Sequence, residues 1–381
     1  MADAYILEAK RTPLGKRGGA LAHIRPDDLA AQCLNGLVES VDVSPKHIED
    51  VVMGCVTQVG EQGLNIGRTA VLAAGWPVSV PGTSVNRMCA SSLQATNFAA
   101  QAVMAGTMDL TIGAGVENMS RVTMGSDAGG ISDQITDRFD IVSQGISAEL
   151  IAEKYALNRQ SLDEMAVESH RRALHAIDNG YFEREILPVT APDPEGAPHV
   201  VTTDQGPRRG STLEAVSGLR PAFKAENGVI TAATSSQISD GAAAILIGSK
   251  AKADELGVRP RARFRSMAVI GSDPTLMLLA PGPATKLALQ KADLSLSDIG
   301  VFEVNEAFAS VVAAWQQDTG ASLEKTNVNG GAMALGHPLG CSGARLLVTL
   351  LHEMERRDEQ FGLATLCIGF GMAVATVIER V

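Results

Sequence analysis

The stretch CSGARLLVTLLHEMERRDEQFGLATLCIGFG, residues 341–371, sets the architecture. It opens on small residues that suit a helix start, runs through an apolar helix, crosses a short polar turn and ends in a strand closed by G-x-G. CASSLQATNFAAQAVMAGTMDLTIGAG, residues 89–115, has the same order of parts in the opposite half of the chain. Two such units predict a duplicated α/β arrangement whose two helix N-termini face a shared centre. The match lies in pattern more than in identity. The end of the quoted stretch raises the question of chemistry. Glycine weakens a strand interior but helps where a ligand or another backbone must come close. Cys367, followed by Gly369 and Gly371 with Phe370 between them, is therefore either core filler or half of a reaction centre.

Outward from these units, apolar runs predict strands at 4–9, 49–58, 82–88, 109–115, 243–249, 262–271, 298–305, 361–369 and 372–380. Helices are expected over 89–105, 147–156, 161–179, 249–256, 284–292, 306–318 and 342–357. SLDE at the head of the 161–179 helix fits a capping box of Ser161 and Glu164. Residues 120–235 differ in character, with polar stretches such as GSDAGGISDQ and APDPEGAPHV, and read as a lid-like excursion over the main body.

The bulk numbers exclude several classes. Of 381 residues, 45% are hydrophobic and 20% charged, as in an ordinary globular enzyme. With 43 acidic against 32 basic residues the formal charge is -11, which argues against nonspecific nucleic-acid or anionic-membrane binding but not against a small anion held by a few arginines. No apolar run reaches the ~20 residues of a membrane span. The start, MADAYILEAKRTPLGKRGG, reads as a first strand and a basic loop. Five cysteines without C-x-x-C or His/Cys ligand spacing predict reduced thiols in a cytoplasmic setting, with no disulfide framework and no metal site.

Which thiol is reactive then decides the function. Cys89, in NRMCASSLQA, stands at a strand–helix junction, where the helix dipole favours a thiolate; a buried structural cysteine fits the same position. His337 lies in the glycine-dense loop NGGAMALGHPLGCSG, where a neutral imidazole can take a thiol proton or serve structure alone. Asn305 and Glu306, in EVNEAFAS, sit where a strand gives way to a helix; the Asn is either an N-cap or an amide that holds a water or substrate oxygen. Cys341, next to the His loop, ranks below Cys89 and Cys367, because a small residue starting a helix serves packing equally well. His23, His47, His170, His175, His199 and His352 receive no chemistry. Two cysteines, a histidine and an asparagine at strand and helix mouths suit acyl transfer through a thioester. G-x-S-x-G, P-loop and H-E-x-x-H motifs are missing, and GAGVEN fails G-x-G-x-x-G.

These residues resemble the thiolase family from end to end. The resemblance is carried by EAKRTPLGK, NRMCASSLQA, GAGVENMSR (113–121), GLRPAF (218–223), TAATSSQISDGAAA (231–244), NEAFA (305–309), NGGAMALGHPLGCSG (329–343) and CIGFG (367–371). It implies a five-layered α-β-α-β-α core of two similar halves with an inserted loop subdomain. The N-terminal half would take residues 1–119, completed by about 236–260; the loop subdomain would take 120–235 and cover the CoA site; the C-terminal half would take 261–381.

It further implies that Cys89 is the acyl-carrying nucleophile, activated by His337, and that Cys367 exchanges a proton with the α-carbon or the CoA thiol. Asn305 would hold a water that forms one oxyanion hole with His337, and the N–H groups of Cys89 and Gly369 would form the other. Arg220 and Ser236 match CoA-contacting positions, and Arg208 and Arg209 are weaker candidates for phosphate. Met277 fits a position near the acyl group, and Phe370 and Gln144 would join it in the acyl pocket. No cofactor is implied beyond coenzyme A as co-substrate.

The departures from the family pattern are local. Phe370 stands where many members have glycine, so the backbone is expected to differ there or the ring to wall part of the acyl pocket. Ala373 and Ser92 also replace frequent glycines, and Ser143-Gln144 stands where biosynthetic acetoacetyl-CoA members tend to have His-Met. The segment 120–145 is short compared with tetrameric members, which predicts a homodimer. The function expected is thiolytic cleavage of a 3-ketoacyl-CoA. The alternatives are a biosynthetic acetoacetyl-CoA thiolase and a thiolase-like CoA-ester-binding protein with little or no turnover.

Overall fold

A computed structural model describes residues 2–381. The first half contains β1 (Tyr5–Arg11), β2 (Gly15–Lys16), α1 (Pro26–Glu39), β3 (Asp50–Gly54), α2 (Ile66–Ala73), β4 (Gly82–Val85), α3 (Ser91–Met104) and β5 (Leu110–Asn118). The inserted segment carries α4 (Asp133–Thr136), α5 (Gln144–Lys154), α6 (Arg159–Asp178), the hairpin β6 (Val189–Pro192) and β7 (Pro198–Val201), and α7 (Leu213–Ser217). The chain then returns to the first half through β8 (Ser239–Gly248) and α8 (Lys250–Leu256). The second half contains β9 (Ala262–Gly271), α9 (Pro281–Ala292), β10 (Ile299–Val304), α10 (Ala309–Thr319), α11 (Leu339–Arg357), β11 (Phe361–Ile368) and β12 (Met372–Arg380).

The duplication is visible strand by strand. In the first half β1 pairs antiparallel with β8, β8 antiparallel with β5, β5 parallel with β3 and β3 parallel with β4. In the second, β9 pairs antiparallel with β12, β12 antiparallel with β11 and β11 parallel with β10. A lone parallel bridge from Phe302 to Thr326 stands where β4 would recur. The two halves join through the short antiparallel contact Tyr5↔Arg263 and Ile6↔Ala262.

Two helices, α3 and α11, pack against each other between the half-sheets, and α1 with α2 on one side and α9 with α10 on the other complete five layers. A helix enclosed on all sides must be apolar or small all round. Every residue of α11 from Leu339 to Met354 is buried, and most of α3 is as well. The approach is at backbone distance: a Cβ on Gly343 would lie 2.3 Å from the Leu93 nitrogen, and one on Gly115 would lie 2.2 Å from the Gly340 carbonyl. Ser92, at a position where glycine is frequent, adds a bond across the pair by accepting from the Ala344 N–H at 2.8 Å.

The inserted segment is tied down by a buried ion cluster. Arg11 of β1 donates to Glu185 at 2.6 Å and, bidentately, to Asp204 at 2.7 and 2.9 Å, and Asp204 also accepts from the Leu14 N–H. All nine predicted strands and all seven predicted helices are present within a few residues of their expected bounds. Helices α1 and α2 and the β6–β7 hairpin were not anticipated. The capping box expected from Ser161 and Glu164 is not formed: the helix starts at Arg159, and the cap is Asn158, whose side chain accepts from the Ser161 N–H at 2.9 Å.

Candidate active site

Cys89 is delivered by a tight turn between β4 and α3. Met88, just before it, sits at φ 45°, a left-handed conformation that costs a non-glycine residue about 1–2 kcal/mol. Side chains hold it there: Asn86 Oδ1 accepts from the Met88 N–H at 2.8 Å, and the Ser91 hydroxyl donates to the Met88 carbonyl at 2.6 Å. Cys89 is buried beside Val56, Met119 and Leu339. Burial pushes its thiol up to about 11, opposed by the N–H groups of Gly369 and of Cys89 itself and by the Gln144 amide. Desolvation outweighs these donors, so the resting form is the thiol.

His337 and Asn305 meet. Asn305 Nδ2 lies 3.3 Å from His337 Nε2, and both residues are buried. On the other side of the ring, Nδ1 lies 2.5 Å from the Ser342 hydroxyl, which in turn is 2.8 Å from the Pro338 carbonyl. That carbonyl can only accept, so the single Ser342 hydrogen goes to it and the hydroxyl accepts from Nδ1–H. Nε2 is then the basic nitrogen, receiving the Asn305 amide. Burial, helped by the neighbouring Arg345 guanidinium, lowers the imidazole to about 3, so it is neutral at physiological pH. Asn305 Oδ1 is buried without a protein partner, which fits an amide that binds a polar substrate atom or water rather than an N-cap; the cap of α10 is Phe308.

Cys367 completes the group. It lies near the end of β11, paired with Ala373 of β12, and is fully buried beside Met277, Met333 and Phe308. Burial pushes its thiol well above the ordinary value, and the Cys89 sulfur is close enough to add to the rise. Asn305 is bound to the same strand through its N–H to the Thr365 carbonyl at 3.0 Å. After Gly369, Phe370 and Gly371 turn at φ 59° and 76°. The altered backbone expected of Phe370 is not found, since it adopts the left-handed conformation that glycine would. Its ring is 42% exposed.

Other expected residues fall into two sets. Gln144 reaches Cys89 and Gly369. Ser236 is partly exposed and tied by its N–H to the Ala307 carbonyl at 2.9 Å, which joins the TAATSSQISDGAAA and NEAFA motifs. Phe223 of GLRPAF meets Phe308 of NEAFA edge to face at 5.8 Å. Arg220 is exposed on the inserted segment just after α7, whose carbonyls at Val216 and Ser217, with that of Leu219, are held by Arg159. Arg208 is exposed, its N–H given to His170 Nδ1 at 3.1 Å, while Arg209 is engaged by a bidentate pair with Asp178. Cys341 is a buried core residue pushed up to about 12. Ser342 and Arg345 were missed by the sequence reading; a hydroxyl one helical turn beyond a loop histidine is the only local signal of the former.

A buried thiol heading a central helix, a second thiol beside it and a neutral imidazole bonded to an asparagine amide define a thiol-dependent acyl-transfer centre on a duplicated α/β fold. The chain belongs to the thiolase family: residues 4–251 match the thiolase N-terminal domain and residues 258–380 the thiolase C-terminal domain. It is an acyltransferase of that family, catalysing CoA-dependent thiolytic cleavage or the reverse condensation. It is 46% identical over 389 aligned positions to the 3-ketoacyl-CoA thiolase of Klebsiella pneumoniae subsp. pneumoniae and to the 3-ketoacyl-CoA thiolase FadA of Escherichia coli K12, with 100% of each chain covered. It also superposes on the crystal structure of the Bacillus anthracis acetyl-CoA acetyltransferase with a TM-score of 0.93, at 37% identity, covering 100% of this chain and 99% of that one. No helix among the described residues is long and apolar enough to cross a membrane.

Proposed function

We propose that this chain cleaves 3-ketoacyl-CoA thioesters by ping-pong thiolysis through an acyl-enzyme on Cys89. The observations that support this best are the two adjacent buried thiols and the buried His337–Asn305 contact, with Asn305 bound through its N–H to the strand that carries Cys367. The Cys89 proton passes to His337 Nε2 as the sulfur attacks the 3-keto carbon, and the N–H groups of Cys89 and Gly369 receive the oxyanion. Collapse breaks the Cα–Cβ bond; the electron pair becomes the enolate of acetyl-CoA, held by His337 and the Asn305 side, and Cys367 protonates its carbon. A second CoA gives its thiol proton to Cys367, attacks the thioester and releases Cys89, which recovers its proton from His337. Burial disfavours the charged form of each group, holding Cys89 as the thiol and His337 as the neutral imidazole before attack.

Residues 120–235 form the lid over the CoA site between the two halves. Arg220 and Arg208 reach the CoA phosphates and Ser236 the pantetheine, with Arg209 held back by Asp178. Met277 borders the acyl group beside Cys367. The 46% identical relatives named 3-ketoacyl-CoA thiolases support 3-ketoacyl-CoA thioesters as the substrate class. The acetyl-CoA acetyltransferase likeness supports the biosynthetic alternative. The chain acts as a homodimer in the cytoplasm, in keeping with five unpaired buried thiols. A light-scattering mass near four subunits would contradict the dimer.

The decisive test is incubation with a series of 3-ketoacyl-CoAs plus CoA, with mass spectrometry of the Cys89 peptide. Acetyl-CoA and an acyl adduct from chains longer than four carbons are expected. Activity on acetoacetyl-CoA alone would favour the biosynthetic reading, and neither product nor adduct would leave a CoA-ester-binding protein.

A further inference from the structure

Gln144 opens α5 behind the cap of Ser143, whose hydroxyl accepts from the Ile146 N–H at 3.4 Å. The next residue fixes how that first turn sits: Gly145 is buried so closely under Phe223 that a Cβ on it would lie 2.1 Å from the ring. The Gln144 side chain therefore projects from an anchored turn. Its Nε2 comes so near Gly369 that a Cβ there would stand 3.4 Å from it. The same amide lies close enough to the Cys89 sulfur to favour its thiolate, as do the N–H groups of Cys89 and Gly369. The Gln144 side chain is exposed. Gln144 Nε2 thus stands beside Gly369, one of the two N–H donors of the oxyanion hole assigned above, and on the Cys89 side of it.

We propose that Gln144 is the third donor of that hole, a role that rests on the thiolase chemistry above and that a wall of the acyl pocket would not have. When the Cys89 sulfur bonds to the carbonyl carbon, the π pair moves onto oxygen, beside Cys89 N, Gly369 N and Gln144 Nε2. When the pair returns, the Cα–Cβ bond breaks and the interaction relaxes, so the amide acts on the transition state more than on the bound substrate. A methionine there would fill similar space and donate nothing.

Gln144→Met and Gln144→Glu separate the two roles in two assays. The first is the rate of acyl-Cys89 formation from 3-ketooctanoyl-CoA in single turnover. The second is alkylation of Cys89 by iodoacetamide at one fixed pH, read by mass spectrometry without any substrate. Gln144→Met should slow acylation by about tenfold or more, slow alkylation in parallel, and leave the KM for CoA unchanged. Gln144→Glu, which sets a carboxylate beside the sulfur, should slow both further. Wild-type rates in both assays with only a shifted chain-length preference would overturn the proposal and return Gln144 to the pocket wall. If the wild-type protein formed no acyl-Cys89 the thiolase reading itself would fail, while unequal alkylation rates would still support the contact and equal ones overturn it.

Discussion

His337 Nδ1 stands 2.5 Å from the Ser342 hydroxyl, and that contact decides which nitrogen of the imidazole is free to act. The hydroxyl is committed to the Pro338 carbonyl, so the ring proton stays on Nδ1 and Nε2 faces Asn305 as a base.

Ser342→Ala should therefore impair chemistry without loosening CoA binding. Removing the acceptor lets the ring protonate on either nitrogen, and acyl-Cys89 formation should slow by roughly 10–100-fold. Ser342→Thr, which keeps the hydroxyl, should recover most of the rate. Single-turnover acylation with a KM for CoA from steady state checks both; a parallel rise in KM would point to general loosening instead.

The two thiols should fail in different ways. Cys89→Ala should abolish the acyl-enzyme altogether. Cys367→Ala should leave acyl transfer from acetyl-CoA to Cys89 partly intact and suppress condensation, because only the second step needs a proton at the α-carbon. Equal losses in both half-reactions would contradict the division of labour.

Glu303 should make stability fall with rising pH. Burial, reinforced by Glu185, Glu306 and Glu353 and opposed by Arg345, pushes its carboxyl up to about 8. In the unfolded chain it titrates near ~4.3. Between these values the folded protein holds one proton more than the unfolded one, so the group's contribution is complete below the lower value and is lost as pH rises through the upper. The slope is on the order of 1.4 kcal/mol per pH unit. Glu303→Gln should remove it, as chemical denaturation at several pH values would show; identical slopes in the two proteins would refute the assignment.

Arg11 should matter for stability and not directly for chemistry. Its guanidinium is fully enclosed between Glu185 and Asp204. Arg11→Met would leave two buried carboxyls uncompensated, at a cost of about 3–5 kcal/mol, visible as a lower urea midpoint at unchanged m-value.

Strands buried on both faces write themselves into a sequence as continuous apolar runs, which is why β8 and β11 were legible. The β6–β7 hairpin was not, being four residues a side within a polar stretch. Helix α1 carried a signal that went unread, Pro26 at its first position with Asp27 and Asp28 in its first turn. Cys89, His337, Asn305 and Cys367 were legible because each sits where an element ends. Glu303 and Arg345 were not, because they are 42 positions apart and their pairing exists only across β10 and α11. Phe370 takes its left-handed conformation for a local reason: the hairpin between β11 and β12 overrides the side chain's own preference.

Glu117 completes the symmetry of the fold. Cys89 stands two residues ahead of α3 and His337 two residues ahead of α11. Near the end of β11 is Cys367; near the end of β5, in the corresponding place, is Glu117. Its carboxylate is saturated by the N–H groups of Val56, Thr57 and Gly340 and by the Gln62 amide, at the mouth of α11. Duplication supplied the frame for a mirror-image reaction centre, and at its counterpart position the chain has a sealed knot of hydrogen bonds. One half presents a thiol at its strand end, and the other binds its neighbouring loops there.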